Sequence, residues 1–316
     1  MNLEKLMADP RYFVLLYGTT PPRADAPAEK VVHAATRLAG RVADLPLDGL
    51  VVYDVQDEAA RVSEPRPFPF LPTLDAPTYG QILSQQTGKS VVTYKCIATE
   101  SEASWSGWLD RAHEQHGVRF LSLVGMASSR DSAKGIGLPR ATAIAAEHPG
   151  RFVLGGVTIA ERHTPARSES LRLIAKAGQG CRYFISQAIY DATPTISLLR
   201  DYARDCADQG VEPRRIVLDF VPVGRPQTMR FMRWLGIAIP DATASAILND
   251  PAPLSRSIAI CRDLLRTILD QPYVDRIPLG LTIESVSINR EEIGATIELL
   301  HTLREVAHER GLPVTA

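Results

Sequence analysis

Eight short apolar runs, separated by helical patterns, limit the possible folds more than any other feature of this sequence. The runs cover residues 13–17, 50–53, 91–94, 120–124, 152–159, 183–185, 216–221 and 279–283. Continuous apolar runs of this length are typical of parallel strands buried on both faces. Helical patterns fall at 29–45, 79–86, 100–115, 139–147, 168–178, 194–208, 226–235 and 290–310. This alternation predicts a single (βα)8 barrel, a TIM barrel, over residues 1–316, with a doubly wound sheet as the competing fold.

Two segments depart from plain alternation. Residues 55–77 form a long loop rich in proline, and loops of this length in compact domains are often functional lids. A rigid surface arm or a subunit contact is the alternative role. Residues 237–270 add an extra helical segment before the last predicted strand, and we expect it to buttress the barrel.

Composition and charge narrow the partners. The chain is 45% hydrophobic and 22% charged with a formal net charge of -1, which suits a globular protein and gives no electrostatic footprint for nucleic acid or a lipid surface. We find no apolar run long enough to span a membrane, no signal-peptide pattern, no CxxC pair and no HExxH spacing. We therefore expect a cytoplasmic protein without a metal site that acts on a small molecule, with a homo-oligomer possible.

Polar residues collect where the predicted strands end, and a barrel binds its ligands at that edge. The residues at these positions are Tyr53, Asp54, Thr93, Lys95, Glu161, His163, Gln187, Asp219 and Glu284. Tyr53 is placed to stack on a ligand ring, and Lys95 to meet a cofactor phosphate or a carboxylate tail. Carboxylates, an amide and a lysine on one rim favour an enzyme.

The stretch from 155 to 191, GGVTIAERHTPARSESLRLIAKAGQGCRYFISQAIYD, resembles the methylenetetrahydrofolate reductase family. In that family a strand, an EVH-like turn, a helix and a strand ending in TQFFYD follow in this order. The Pro-Pro-Arg turn at 21–23, and Val-Pro-Val at 221–223 followed by Gln227, are also similar. The match spans most of the chain in order and is dense only from about residue 150 to 235.

This resemblance implies a barrel that reduces 5,10-methylenetetrahydrofolate to 5-methyltetrahydrofolate with NAD(P)H, NADH being favoured. It carries over Gln187 and Gln227 as folate contacts. His163 falls where the family approaches its flavin, and Thr93 where the family has a histidine. The implied partner is a tetrahydrofolate derivative, and the implied pathway is one-carbon metabolism leading to methionine.

Departures from the family pattern concern its acid and its flavin. Gly18 stands in place of the family's glutamate, the residue expected to be the general acid. The family's Arg-Gly-Asp after strand four is Val-Gly-Met here, ending at Met126, and the family's flavin-phosphate lysine falls near Ile174, two residues before Lys176. These departures argue against the usual FAD site and favour direct hydride transfer from NAD(P)H.

A proton donor is still required, because the methylene bridge must become an iminium ion before it accepts hydride. With Gly18 unable to serve, we predict Asp54 or Glu284 as the donor, with Asp57 and Glu58 next in order. Three alternatives stay open. One is an FAD-dependent reductase with a rearranged site, one is a folate-binding barrel without reductase activity that serves a methyltransferase partner, and one is a methyltransferase of the pterin-binding barrel type.

Overall fold

The computed structural model of this chain describes residues 2–57, 63–125 and 135–315. Eight parallel strands pair in chain order, and the first pairs with the last, so the sheet closes into a barrel. The predicted (βα)8 fold is therefore confirmed. The strands are β1 (Val14–Thr19), β2 (Gly49–Val52), β3 (Ser90–Cys96), β4 (Phe120–Val124), β5 (Val153–Thr158), β6 (Tyr183–Ala188), β7 (Arg215–Phe220) and β8 (Leu279–Ile283).

Helices cover the outside of the barrel. They are α1 (Leu3–Ala8), α2 (Ala28–Val42), α3 (Ala76–Thr87), α4 (Glu102–Glu114), α5 (Leu138–Glu147), α6 (Glu169–Gly178), α7 (Ala192–Gln209), α8 (Pro226–Trp234), α9 (Asp241–Leu248), α10 (Pro253–Leu269) and α11 (Arg290–Glu309). The predicted extra segment is present as α9 and α10, and α10 packs between α7 and α11. None of the helices in the described ranges is long and apolar enough to cross a membrane.

Side chains of alternate strand residues fill the interior of the barrel. An interior cluster joins Val51, Val92, Tyr183 and Val217, whereas the residues between them pack against the helices. Gly155 is required beside Tyr183, because a Cβ at that glycine would lie 2.2 Å from the tyrosine ring. Large interior side chains leave a packed core rather than a pore.

The amino-terminal end of the barrel is closed by α1 and by Arg215 at the start of β7. Arg215 is 1% exposed, and its guanidinium donates to the carbonyl oxygens of Tyr12 at 2.6 Å and Met7 at 3.2 Å, and also to those of Leu6, Asp9 and Leu279. Burial lowers the pKa of Arg215 to about 10. Barrels of this kind bind their ligands at the carboxyl ends of the strands, which is the end opposite Arg215.

Candidate functional site

The alternation of inward and outward residues places two carboxyl groups in the barrel mouth. Val217 faces the interior, so Asp219, two residues later on β7, faces it too, and Asp219 is paired in register with Thr282 of β8. Glu284 follows β8 by the same alternation. Asp219 is 3% exposed, whereas Glu284 is partly exposed. These two residues form an acid pair in the barrel mouth, and Glu284 is the member of the pair that solvent reaches.

Gly18 makes room for this acid. A Cβ at Gly18 would lie 2.9 Å from the Cβ of Glu284 and 2.9 Å from Cε2 of Tyr53. Both distances are too short for non-bonded carbon atoms, so any side chain at position 18 would displace Glu284 or Tyr53. The position that resembles the family's acid therefore has no side chain here, and the Cβ of Glu284, the residue directly after β8, lies against it.

Burial and mutual proximity shift the acidity of both carboxyl groups. Burial raises the pKa of Asp219 well above its ordinary value, and the adjacent Glu284 raises it further. Burial also raises the pKa of Glu284 to about 7, although hydrogen bonding from Tyr53 and Asp219 acts to lower it. Burial is also the main cause that raises the pKa of Tyr53. Two carboxyl groups this close cannot both ionise easily, so the pair holds at least one proton near neutral pH.

Gln187 reaches the mouth from β6 beside a bulge. The register between β6 and β7 shifts between Ile185 and Ala188, and the Ser186 hydroxyl accepts a hydrogen bond from the Asp219 backbone N–H at 2.9 Å. Bulges of this kind often re-aim a side chain at a site. The Gln187 Nε2 donates to the carbonyl oxygen of Leu235 at 3.3 Å, which fixes the direction of the amide.

Three buried oxygen atoms of the mouth have no hydrogen-bond partner among the described residues. They are Gln187 Oε1, Asp219 Oδ1 and Thr282 Oγ1. An unpartnered buried polar group costs about 1 to 3 kcal/mol, and folded proteins rarely leave several together. Among the described residues, these three oxygen atoms are therefore the acceptors of the mouth that are still free to take a hydrogen bond from a molecule bound there.

Asp54, the other predicted proton donor, does not join this group. Its Oδ2 accepts a hydrogen bond from the backbone N–H of Cys96 at 2.8 Å, and its Oδ1 accepts one from Gln56 at 2.7 Å. Burial raises the pKa of Asp54, but its other neighbours are Lys95 and Asp75 on the helix side of the sheet. Asp54 therefore ties β2 to β3, and the structure favours Glu284 as the acid of the mouth.

Thr93 and Lys95, predicted to bind a cofactor, are not brought to the mouth. Thr93 is buried on the outer side of β3 near Gly80 of α3. The Lys95 Nζ lies 2.9 Å from a Glu100 oxygen and 5.3 Å from the centre of the Trp108 ring. Because Tyr94 between them faces the interior, both neighbours face the helices, and cofactor binding by Thr93 and Lys95 stays a prediction.

His163 and Lys176 make contacts within the protein. The His163 Nε2 lies 2.9 Å from an Asp201 oxygen, and its Nδ1 accepts a hydrogen bond from the Glu169 backbone N–H at 3.2 Å. Lys176 donates to the carbonyl oxygen of Val157 at 2.8 Å, and burial lowers its pKa. These contacts hold α6 and α7 to the end of β5, and the cofactor contact at His163 stays a prediction.

Gln227 lies on α8 and contacts the proline-rich loop, so its surroundings differ from those of Gln187. The Gln227 Nε2 lies 3.5 Å from the carbonyl oxygen of Pro67, and Trp234 Nε1 donates to the carbonyl oxygen of Glu64 at 3.0 Å. The Arg66 guanidinium lies 5.2 Å from the Trp234 ring and 5.3 Å from the Phe231 ring. Residues 64–67 of the loop after β2 therefore contact α8, which follows β7.

Two residues named from the sequence, Glu58 and Met126, lie outside the described residues. Asp57 is exposed. The sequence placed Asp219 at a strand end but gave it no role, and it did not single out Thr282. The inward alternation that begins at Val217 is the signal that identifies Asp219, and its pairing across β7 and β8 then identifies Thr282.

The fold and the mouth together define a (βα)8 barrel with a buried acid pair and an amide at its carboxyl end. No family model and no curated protein sequence matches the chain. Among solved structures, a Clostridium thermocellum protein that binds two copies of 5-methyl-5,6,7,8-tetrahydrofolic acid has a TM-score of 0.82 and 28% identity, and the match covers 96% of this chain and 99% of that one.

Two further solved structures are more distant. Dihydropteroate synthase from Xanthomonas albilineans has a TM-score of 0.46 and 14% identity, with 94% of each chain covered. An oxaloacetate acetylhydrolase has a TM-score of 0.49 and 13% identity, with 96% of this chain and 86% of that chain covered. These two similarities are too low to bear on the site.

Proposed function

We propose that this protein binds a reduced folate of the 5-methyltetrahydrofolate class in the mouth of the barrel. The observation that carries the proposal is the similarity, over nearly the full length of both chains, to a protein that binds 5-methyltetrahydrofolate. The resemblance of the 155–191 stretch to a folate enzyme points to the same ligand and assigns Gln187 to it.

The chemistry of the mouth suits a reduced pterin. Such a ring presents several N–H donors along one edge, and the mouth offers acceptor oxygens on Gln187, Asp219 and Thr282 that have no partner in the described part of the chain. Tyr53 stands beside them as a partly exposed aromatic ring. A planar ring with donors on its edge would satisfy the buried acceptors, and it would lose little in doing so because the site is already formed.

Titration calorimetry with 5-methyltetrahydrofolate tests this proposal. We expect one saturable site in the mouth, and we expect Gln187→Leu to weaken binding by about tenfold or more, since one hydrogen bond and the direction of the amide are lost. Gln81→Leu is the matched control, because Gln81 lies on α3 and donates to the carbonyl oxygen of Gln115. Equal affinity in the two variants, or no binding to the wild-type protein, would contradict the proposal.

A reductase is the second candidate, and Glu284 is the observation that favours it. Reducing a methylene bridge to a methyl group takes one hydride and one proton. A carboxyl whose pKa is raised to about 7 by burial holds a proton at neutral pH and can still release it. NAD(P)H, with NADH favoured, would supply the hydride, and Glu284 would supply the proton.

Contacts within the protein favour direct hydride transfer over a flavin relay. His163, at the position that resembles a flavin contact, is engaged with Asp201 and Glu169. Lys176, two residues after the position of the family's flavin-phosphate lysine, donates to the carbonyl oxygen of Val157. Those residues therefore do not fit an FAD held in the family's manner.

An absorbance spectrum of the purified protein, followed by NADH and methylenetetrahydrofolate, separates the candidates. Colourless protein that oxidises NADH only when the folate is present supports direct transfer. Yellow protein that NADH alone bleaches would support a flavin reductase with a rearranged site. Protein that binds folate and never oxidises NAD(P)H would support a folate-binding barrel without reductase activity, such as one that serves a methyltransferase.

A further inference from the structure

Asp219 is a buried acid, and no cation in the described ranges 2–57, 63–125 and 135–315 offsets its charge. The groups that act on the Asp219 and Glu284 carboxyls in the described part of the chain are each other, Tyr53 and a backbone N–H, and none of them is positively charged. Burial raises the pKa values of the neighbouring Tyr94, Tyr190 and Cys261, and a charge on Asp219 raises them further. An ionised carboxylate at 3% exposure without a cation would carry a large desolvation cost.

The geometry around Asp219 fits a neutral acid. Its Oδ1 has no hydrogen-bond partner among the described residues, although a buried carboxylate normally collects several donors. Its neighbours on β8 are the Thr282 hydroxyl in register and the Glu284 carboxyl one inward position further along the strand. Glu284 is the more exposed acid of the two, and water or a ligand reaches it first.

We propose that Asp219 is a permanently protonated positioning residue that donates its hydrogen bond to Glu284, so that Glu284 alone exchanges a proton with the ligand. Tyr53 donates to Glu284 from the other side, and Gly18 leaves the space in which the Glu284 side chain lies. Gly18, Tyr53 and Asp219, at the ends of β1, β2 and β7, thus fix the position of the Glu284 carboxyl group. Its work on a folate rests on the proposed function, whereas the protonation state of Asp219 does not.

The test is a carboxyl titration of the ligand-free protein by carbon-13 NMR, with samples labelled in aspartate or in glutamate side chains. Asp219→Asn and Glu284→Gln variants assign the two signals. We expect Glu284 to titrate with a midpoint near 7, and Asp219 to remain protonated when Glu284 has lost its proton.

Two substitutions of Asp219 distinguish a protonated Asp219, which donates a hydrogen bond to Glu284, from an ionised Asp219, which repels it. Asp219→Asn keeps a donor, so the Glu284 midpoint should move by less than about half a pH unit, whereas Asp219→Leu removes the donor and should raise that midpoint by about one unit. A fall of about one unit or more in Asp219→Asn would mean that Asp219 is ionised in the wild-type protein, which would overturn the proposal. An unchanged midpoint in Asp219→Leu would also overturn it, because Asp219 would then be structural only.

The proposal stays testable if Asp219→Leu does not fold, since the wild-type titration and Asp219→Asn then decide it. A second readout is the affinity for 5-methyltetrahydrofolate as a function of pH. Its midpoint should follow that of Glu284 in the wild type and in Asp219→Asn. Protein that binds no folate would refute the proposed function and would leave the ligand-free titration intact as a separate result.

Discussion

Strand β7 has a buried ionisable residue at each end, Arg215 and Asp219, and the two differ in how many hydrogen-bond partners surround them. Arg215 at the amino end is surrounded by carbonyl oxygens that accept its hydrogen bonds, and it seals the barrel. Asp219 at the carboxyl end faces another acid and keeps an oxygen without a partner in the described part of the chain. A buried polar group that is fully satisfied supports the fold, whereas one left short of partners marks the place where a ligand is expected.

Removing the seal should have the largest effect. Arg215→Met leaves buried carbonyl oxygens without donors, so we expect a loss of about 3 to 5 kcal/mol in the free energy of unfolding, measured by denaturant titration. Arg182→Met is the control, because Arg182 is exposed, and it should cost less than about 0.5 kcal/mol. Equal stability of the two variants would show that Arg215 is not a structural seal.

Removing the Glu284 carboxyl group should increase the free energy of unfolding at high pH, whereas removing Arg215 decreases it. The pKa of Glu284 is about 7 in the folded protein and 4.5 in the unfolded chain, so the folded state binds the proton more tightly. The stability that this proton contributes is fully present below pH 4.5 and is lost as the pH rises through about 7. Glu284→Gln mimics the protonated form. We expect it to be more stable than wild type by about 2 to 3 kcal/mol near pH 8 and equal to it only near about pH 4.

Thermal unfolding of Glu284→Gln and wild type across this pH range measures the difference. Glu309→Gln serves as a control, since Glu309 forms an exposed ion pair with Arg266. A Glu284→Gln variant that is less stable than wild type at high pH would show that the carboxylate of Glu284 is well solvated or paired, and the comparison with Arg215 would then fail.

Filling the space beside the acid should have an intermediate effect. Gly18→Ala places a Cβ 2.9 Å from Glu284 and Tyr53, so we expect a loss of about 1 to 2 kcal/mol in stability and weaker folate binding. Gly40→Ala is the matched control, because nothing lies within 4 Å of its added Cβ on α2, and it should be neutral or stabilising. Normal folate affinity in Gly18→Ala would separate Gly18 from the site.

An outward-facing strand-end residue should have the smallest effect. Lys95→Met removes an ion pair with Glu100 at 2.9 Å, and we expect a change of less than about 1 kcal/mol in stability and no change in folate affinity. Calorimetry with 5-methyltetrahydrofolate checks the second point. A large loss of affinity would show that Lys95 reaches the ligand, against its position on the outer side of β3.

The amino-acid sequence by itself determined the barrel, the extra helices α9 and α10, and the strand ends as the place where polar residues collect. These features follow from local patterns, because apolar runs and helical spacing depend on neighbours along the chain. Gln187 at the mouth was also found this way. The sixth strand is longer than its apolar run suggested, because its last residues pass through the bulge beside Asp219.

Only the tertiary structure decided which strand-end residues act together. Asp54, Thr93 and Lys95 looked equivalent to Tyr53 and Glu284 in the sequence, but a shift of one residue along a strand turns a side chain from the interior to the helices. The pairing of β1 with β8 brings Gly18 against Glu284, although they lie near opposite ends of the chain. Closure of the barrel creates such contacts between distant residues, and no local pattern encodes them.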